Sequence, residues 1–239
     1  MSLLALIAGA SLAASAASET RKSDLSVKET RRLLRKYGEC VVNRQEKAAS
    51  EAILADVSAD EMMRRYPRLI EAFCLPIPPA GTLKVRFQGD QYHYALAEAL
   101  VAKEYIDLPA PDLARVQPLY HRAVGPPPSP TTASGKPLSP RDYTAAVAAY
   151  QRTQGFRLLA AYGECVVRAD PNASRALLLT VPDTREETAQ FVALGTAFET
   201  CMPQGQGFTA GKLVLRGVIA VNYYRLAKGA EAAEGGAVR

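Results

Sequence analysis

Arg32-Leu33-Leu34-Arg35-Lys36-Tyr37-Gly38-Glu39-Cys40-Val41-Val42 returns later in the chain as Arg157-Leu158-Leu159-Ala160-Ala161-Tyr162-Gly163-Glu164-Cys165-Val166-Val167, with nine of the eleven positions identical. A match of this length within one chain is the signature of an internal repeat and sets the unit in which the rest must be read. It continues downstream: Phe73-Cys74-Leu75-Pro76 corresponds loosely to Thr200-Cys201-Met202-Pro203, and each is followed by a Gly-containing loop and an apolar segment. The expectation is a duplicated module.

Inside the quoted stretch Leu34, Tyr37 and Val41 fall at i, i+3 and i+7, flanked by Leu33 and Cys40, so they form one apolar stripe on a helix; Leu159, Tyr162 and Val166 repeat it. Helix starts are legible around it. Ser26 with Glu29 reads as a capping box, and Ser139-Pro140 with Asp142 reads as a cap followed by a first-turn proline and a first-turn acid. Ser58 with Glu61 and Thr184 with Glu187 predict further helices that end at Cys74 and Cys201. Short helices are expected over 48–55 and 173–179, and closing helices over 90–105 and 212–228. No alternating pattern longer than about four residues suggests a strand. The predicted fold is all-α: two tandem four-helix units from an internal duplication, each with one disulfide.

Residues 109–140 hold nine of the sixteen prolines, including Pro126, Pro127, Pro128 and Pro130, and read as a semi-rigid linker with room for a short helix at 112–124. The expected organisation is therefore a helical unit over 24–107, a linker over 108–139, a second unit over 140–228 and an unstructured tail over 229–239. Residues 1–17 read as a signal peptide: Leu3 to Ala17 is uncharged, too short to span a bilayer, and closes on Ala14-Ser15-Ala16. Cleavage is expected after Ala16 or Ala17, with only the α-amino group as the positive n-region. No other run approaches the roughly 20 apolar residues of a membrane helix. A periplasmic or secreted protein follows.

The four cysteines fall as Cys40 with Cys74 and Cys165 with Cys201, separated by 34 and 36 positions. Four cysteines permit three pairings. The duplication selects Cys40–Cys74 and Cys165–Cys201, because an ancestral unit folding alone had only its own two cysteines, and each bridge is expected to contribute about 3 to 4 kcal/mol. There is no Cys-x-x-Cys for redox chemistry and no paired short spacing for zinc.

The net charge of +5 is spread, with 15 Lys and Arg against 14 acids over residues 17–108 and 14 against 10 over the rest. That is not the concentrated basic face of a nucleic-acid binder. Lys28, Arg31, Arg32, Arg35 and Lys36 form a basic run on the first helix, suited to an anionic membrane or envelope polymer or, more simply, to water. Gly38 and Gly163 inside helices predict close approach of a neighbouring helix. Candidate functional residues are Tyr37, Glu39, Tyr162 and Glu164, with the carboxylates read first as partners of a nearby Arg. His93 and His121, the only histidines, lie in different segments, neither at a catalytic spacing, and read as surface or linker residues.

There is no P-loop, dinucleotide fingerprint, zinc-helix motif or nucleophile elbow, and no cofactor is implied. The pattern Tyr-Gly-Glu-Cys-Val-Val, Cys-x-Pro and Leu215-Arg216-Gly217 resembles a class of uncharacterised bacterial exported proteins. The resemblance implies the periplasm as location, implies no activity, and adds Arg216 to the candidate residues. The first copy departs from it, with Tyr92-His93-Tyr94 in place of Leu215-Arg216-Gly217. The residues favour a non-catalytic envelope protein acting as a binding or interaction scaffold. The alternatives are a hydrolase-like enzyme around Glu39 or Glu164 and a membrane-surface or cell-wall binder using the basic first helix.

Overall fold

The computed structural model describes residues 26–75, 90–202 and 209–236. The expected signal peptide lies outside these residues. The chain is all-α, with one disulfide in each half: Cys40–Cys74 and Cys165–Cys201, with Cα atoms 5.6 and 5.7 Å apart.

Helix α1 spans Val27–Leu54. Ser26 and Glu29 close the expected capping box, the Ser26 hydroxyl accepting the Glu29 N–H (3.2 Å) and the Glu29 carboxylate accepting the Ser26 N–H (2.8 Å). The separate helix expected at 48–55 is instead the continuation of α1. Only Gln45 leaves helical geometry (φ −136°, ψ 39°), and with no proline there the helix kinks and resumes.

Helix α2 spans Ala59–Arg65, and stops short of Cys74. Pro67 is the reason: it removes a backbone donor and forces Tyr66 out of the helical region (φ −127°, ψ 57°). Two single 3-10 turns, Pro67–Leu69 and Ala72–Cys74, complete the segment. Helix α3 spans Gln91–Glu104.

The second half repeats the order more regularly. Helices α4 (Pro140–Ala169), α5 (Pro171–Leu179), α6 (Arg185–Ala193), α7 (Gly195–Cys201) and α8 (Lys212–Gly236) follow in turn. The helix expected to run from Thr184 to Cys201 breaks at Leu194 into α6 and α7.

Two expectations about irregular chain are corrected. Residues 112–124 form no helix; Pro111 and Pro118 interrupt it, and its carbonyls are held by arginine, Arg168 donating to Val116 O (3.1 Å) and Gln117 O (2.8 Å). The tail is not unstructured from Gly229, because α8 continues to Gly236. Glu231 anchors that extension by accepting from Tyr105 Oη (2.5 Å) and Lys228 Nζ (2.9 Å); residues 237–239 lie outside the description.

Packing joins the halves into one core. Helix α1 lies on α3, α4 lies on α8, and α3 lies on α8. Leu34, Tyr37 and Val41 are buried as their stripe requires, and so are Tyr162 and Val166. Gly38 and Gly163 do what their cost in a helix suggests: a Cβ on Gly38 would collide with the Ala95 carbonyl, and one on Gly163 with Val218. Gly217 on α8 lies against the Tyr94 ring of α3. The tripeptides that distinguish the two copies thus meet each other, a ring on one helix resting on the glycine of the other.

Candidate functional site

The residues singled out from sequence separate into structural groups and one cleft. Tyr37 is buried, stacks at a tilt on Tyr92 and accepts the Glu71 N–H (3.1 Å). Tyr162 is buried against Phe198 and donates to its carbonyl (3.2 Å). Both pin the segment that carries the second cysteine of their half. Glu39 is partly exposed and pairs with Arg35 (2.7 Å), an i,i+4 ion pair as expected.

Arg216 is 1% exposed and completely engaged. Its Nε donates to Glu98 (2.7 Å) and its terminal nitrogens to the carbonyls of Leu177, Leu178 and Thr180 at 2.8 to 2.9 Å. Glu187, fully buried, lies 3.3 Å from Arg216 and 2.5 Å from Arg31, which also meets Asp183. Burial alone would push the Glu187 carboxyl up. Hydrogen bonds from Arg31 and the Asp183 N–H, with the charges of Arg31 and Arg216, outweigh it and hold Glu187 below the ordinary carboxylate range. The spaces beside this network measure about 10 Å³ each. It is a closed polar clamp between the halves. It also dissolves the basic run of α1, since Arg31 turns inward and Arg35 donates to Thr180 O (2.9 Å), leaving Lys28, Arg32 and Lys36 exposed.

Glu164 behaves differently from its counterpart Glu39. It is buried, and accepts from Arg168 Nε (2.8 Å), the Leu119 N–H (3.0 Å) and His121 Nε2 (2.8 Å). Burial pushes its carboxyl up, but these three donors prevail and hold it below the usual range. A carboxylate only accepts, so the ring proton of His121 sits on Nε2 and its buried Nδ1 faces away without a partner.

His121 lines a cleft of about 320 Å³ together with Asp56, Asp90, Arg122, Phe156 and Arg157. A chamber of about 40 Å³ shares Asp56, Asp90, Arg122 and Phe156 and is bounded by His93 and Tyr94. Asp56 sits at φ 47°, in the left-handed region that Asp tolerates better than most residues, at the turn between α1 and α2. That turn presents its carboxylate to the Arg122 N–H (3.1 Å) and to Arg225 (3.6 Å), while Asp90 takes Arg122 at 3.2 Å.

His93 is 5% exposed, which corrects the expectation of a surface residue. Neither ring nitrogen makes a well-formed hydrogen bond, Asp90 standing 3.8 Å from Nδ1. Burial pushes its pKa down; Asp90 opposes this, Arg122 adds to it, and Asp56 and the Val57 backbone oppose it without reversing it. The folded protein therefore holds a neutral imidazole that the unfolded chain would protonate near the ordinary value of 6.5. Stability contributed by this group is complete above that value and is lost as pH falls through the lower folded-state value. The expected result is a urea midpoint that drops between about pH 7 and pH 5, with a clearly shallower drop in His93→Gln than in wild type or His121→Gln. Equal slopes in all three would refute a buried neutral His93.

Sequence reasoning missed this convergence because His93, His121 and Glu164 lie on α3, the linker and α4, with no spacing that links them. The one signal was a carboxylate repeated in both copies, and it marked the right position in the second copy only. Comparison with protein-family models, curated proteins and solved structures gives no match in any of the three. Among the described residues no group of three or more His, Cys, Asp and Glu is placed to hold a metal ion, and no helix is long and apolar enough to cross a membrane.

Proposed function

We propose that this chain is a non-catalytic binding protein exported to the periplasm or cell exterior, built by duplication of a disulfide-stapled helical unit, and that the cleft beside His121 is its ligand site. The observation that carries this reading is a contrast within one molecule. The Arg216 clamp satisfies its charges and leaves no usable space. The cleft keeps about 320 Å³ open between Asp56, Asp90, His121, Arg122, Phe156 and Arg157. An open cleft at the low end of ligand-pocket volumes, lined by a few charged side chains and an aromatic ring, is the place in this fold suited to a ligand. The cysteine pairing and the small-residue end of the N-terminal apolar run support export.

Binding is favoured over hydrolysis by the state of Glu164, held ionised by three donors and so unsuited to deliver a proton. The membrane-surface reading loses its main support with Arg31 and Arg35 turned inward. The test uses the mature, oxidised protein and a panel of small organic acids, amines and neutral sugars at millimolar concentration. At least one probe is expected to raise the thermal midpoint saturably, and Ala160→Phe, which fills the cleft, is expected to abolish that rise. No saturable response across the panel, or one that survives Ala160→Phe, would overturn the reading.

A further inference from the structure

On a surface that shares no residue with the cleft, we propose that the segment Met63–Phe73 docks onto an anionic lipid bilayer. Apolar side chains exposed singly need no explanation, but here they are concentrated. Phe73 is 86% exposed and Ile70 53%, and Met63 lies exposed near the end of α2. They do not belong to a loose chain. Leu69 is buried, the Glu71 N–H donates to Tyr37 Oη, and Cys74 is bonded to Cys40 of α1, so Ile70 and Phe73 are held outward between these anchors. Cations accompany them. The Arg44 guanidinium lies over the Phe73 ring, 5.9 Å from its centre. Arg44 pairs with Glu71 and Arg65 with Glu61, but Arg64 and Arg68 are exposed and have no ion pair or hydrogen bond among the described residues. The unmatched charge of the segment is positive.

The second copy builds the same disulfide staple without this surface. Thr200 stands where the first copy has Phe73, Ala169 where it has Arg44 and, counting from the caps Ser58 and Thr184, Gln190 where it has Arg64. Neither the ring nor its cations are therefore required by the staple. Charge then selects the partner. A second copy docking through the same face would set Arg64 and Arg68 against their own counterparts, whereas phosphate headgroups match them and the acyl boundary takes up Phe73 and Ile70. None of the cavities described above is lined by any of these residues. Side chains that project, with no recess between them, fit a fluid surface that closes around them. The contact makes no use of the basic run on α1.

The chain contains no tryptophan, so Phe73→Trp places a single fluorescent reporter in the surface. The probes are vesicles of phosphatidylcholine alone and of an equimolar mixture of phosphatidylcholine and phosphatidylglycerol. With the mature, oxidised protein the mixed vesicles are expected to shift the emission saturably to the blue, the neutral vesicles to shift it little, and added salt to weaken the effect. In co-sedimentation with the mixed vesicles, Arg64→Gln combined with Arg68→Gln is expected to weaken binding about 25-fold, about fivefold for each charge, and Phe73→Ser to weaken it at least about tenfold. These side chains are exposed, so the variants keep the fold, which an unchanged thermal midpoint checks. Neutral vesicles matching the anionic ones would reduce the contact to apolar adsorption and overturn the assignment. Loss of binding in a Lys28→Gln, Arg32→Gln, Lys36→Gln variant, with full binding in the Arg64→Gln, Arg68→Gln variant, would move the contact to α1 and overturn it too. A reporter that polyglutamate shifts and vesicles do not would replace the lipid by an acidic protein. No response to either would remove the docking surface altogether.

Discussion

Arg216→Met is expected to lower the free energy of unfolding by about 3–5 kcal/mol, among the largest effects any single substitution in this protein will show. Methionine fills much of the volume but supplies no donor. Among the described residues Glu98 would lose its cation and Leu178 O its arginine donor, Leu177 O would keep only the N–H and hydroxyl of Thr180, Thr180 O would keep only Arg35, and Glu187 would keep Arg31 alone as its cation. Stranding buried acceptors costs far more than the net value of the bonds that satisfied them. The clamp spans α3, the α5–α6 connection and α8, so the loss falls on contacts between the halves. Arg216→Lys keeps the charge but not the fork, and is expected to recover less than half of the deficit. Urea denaturation of the oxidised protein gives both numbers. A loss under about 1 kcal/mol for Arg216→Met would mean that the network is solvated and contributes as little as a surface pair.

Cys74→Ser is the second large effect. Closing a loop of 34 residues removes enough unfolded-chain entropy for about 4 kcal/mol of stabilisation, and the loop of 36 residues closed by Cys165–Cys201 predicts nearly the same. The consequences should nevertheless differ in place. Cys74 sits in a 3-10 turn next to Phe73, which is 86% exposed, and near Ile70, also exposed. Apart from the disulfide, that segment is held by buried Leu69 and by its contacts with Tyr37, Tyr92 and α1. Cys201 ends a true helix, α7, whose Phe198 stacks on both Tyr162 and Phe191. Hydrogen exchange is therefore expected to show residues 67–75 opening locally in Cys74→Ser, while α7 in Cys201→Ser opens only with the global transition. Peptide mapping of Cys74→Ser should find Cys40 as the free thiol and Cys165–Cys201 intact. Equal local opening in both variants would show that the disulfides do the same work in both halves.

The features legible in the sequence were those decided between near neighbours. Ser26 with Glu29, Ser139 with Asp142 and Thr184 with Glu187 cap their helices because a hydroxyl three residues from an N–H reaches it whatever the rest of the chain does. The apolar stripe at Leu34, Tyr37 and Val41 is buried because a helix of fixed period has to bury it somewhere, and the repeated register of the cysteines chose the disulfide pairing. Pro67 could have been read the same way, as the residue that ends α2 before Cys74.

What the tertiary structure alone decided are the meetings between residues far apart in the chain. Five charges on α1 looked like one exposed face until Asp183 and Glu187, about 150 positions away, drew Arg31 inside. Gly217 is meaningful only because Tyr94 lies across from it, and α8 passes Gly229 because Tyr105 and Lys228 hold Glu231. His121 reaches Glu164 across 43 positions because the linker is pinned by Arg168 and not because any spacing relates the two. Capping and periodicity act over one or two helical turns and so are written in order along the chain. The partner of a buried charge is set by which surfaces pack together, and that is a property of the whole fold.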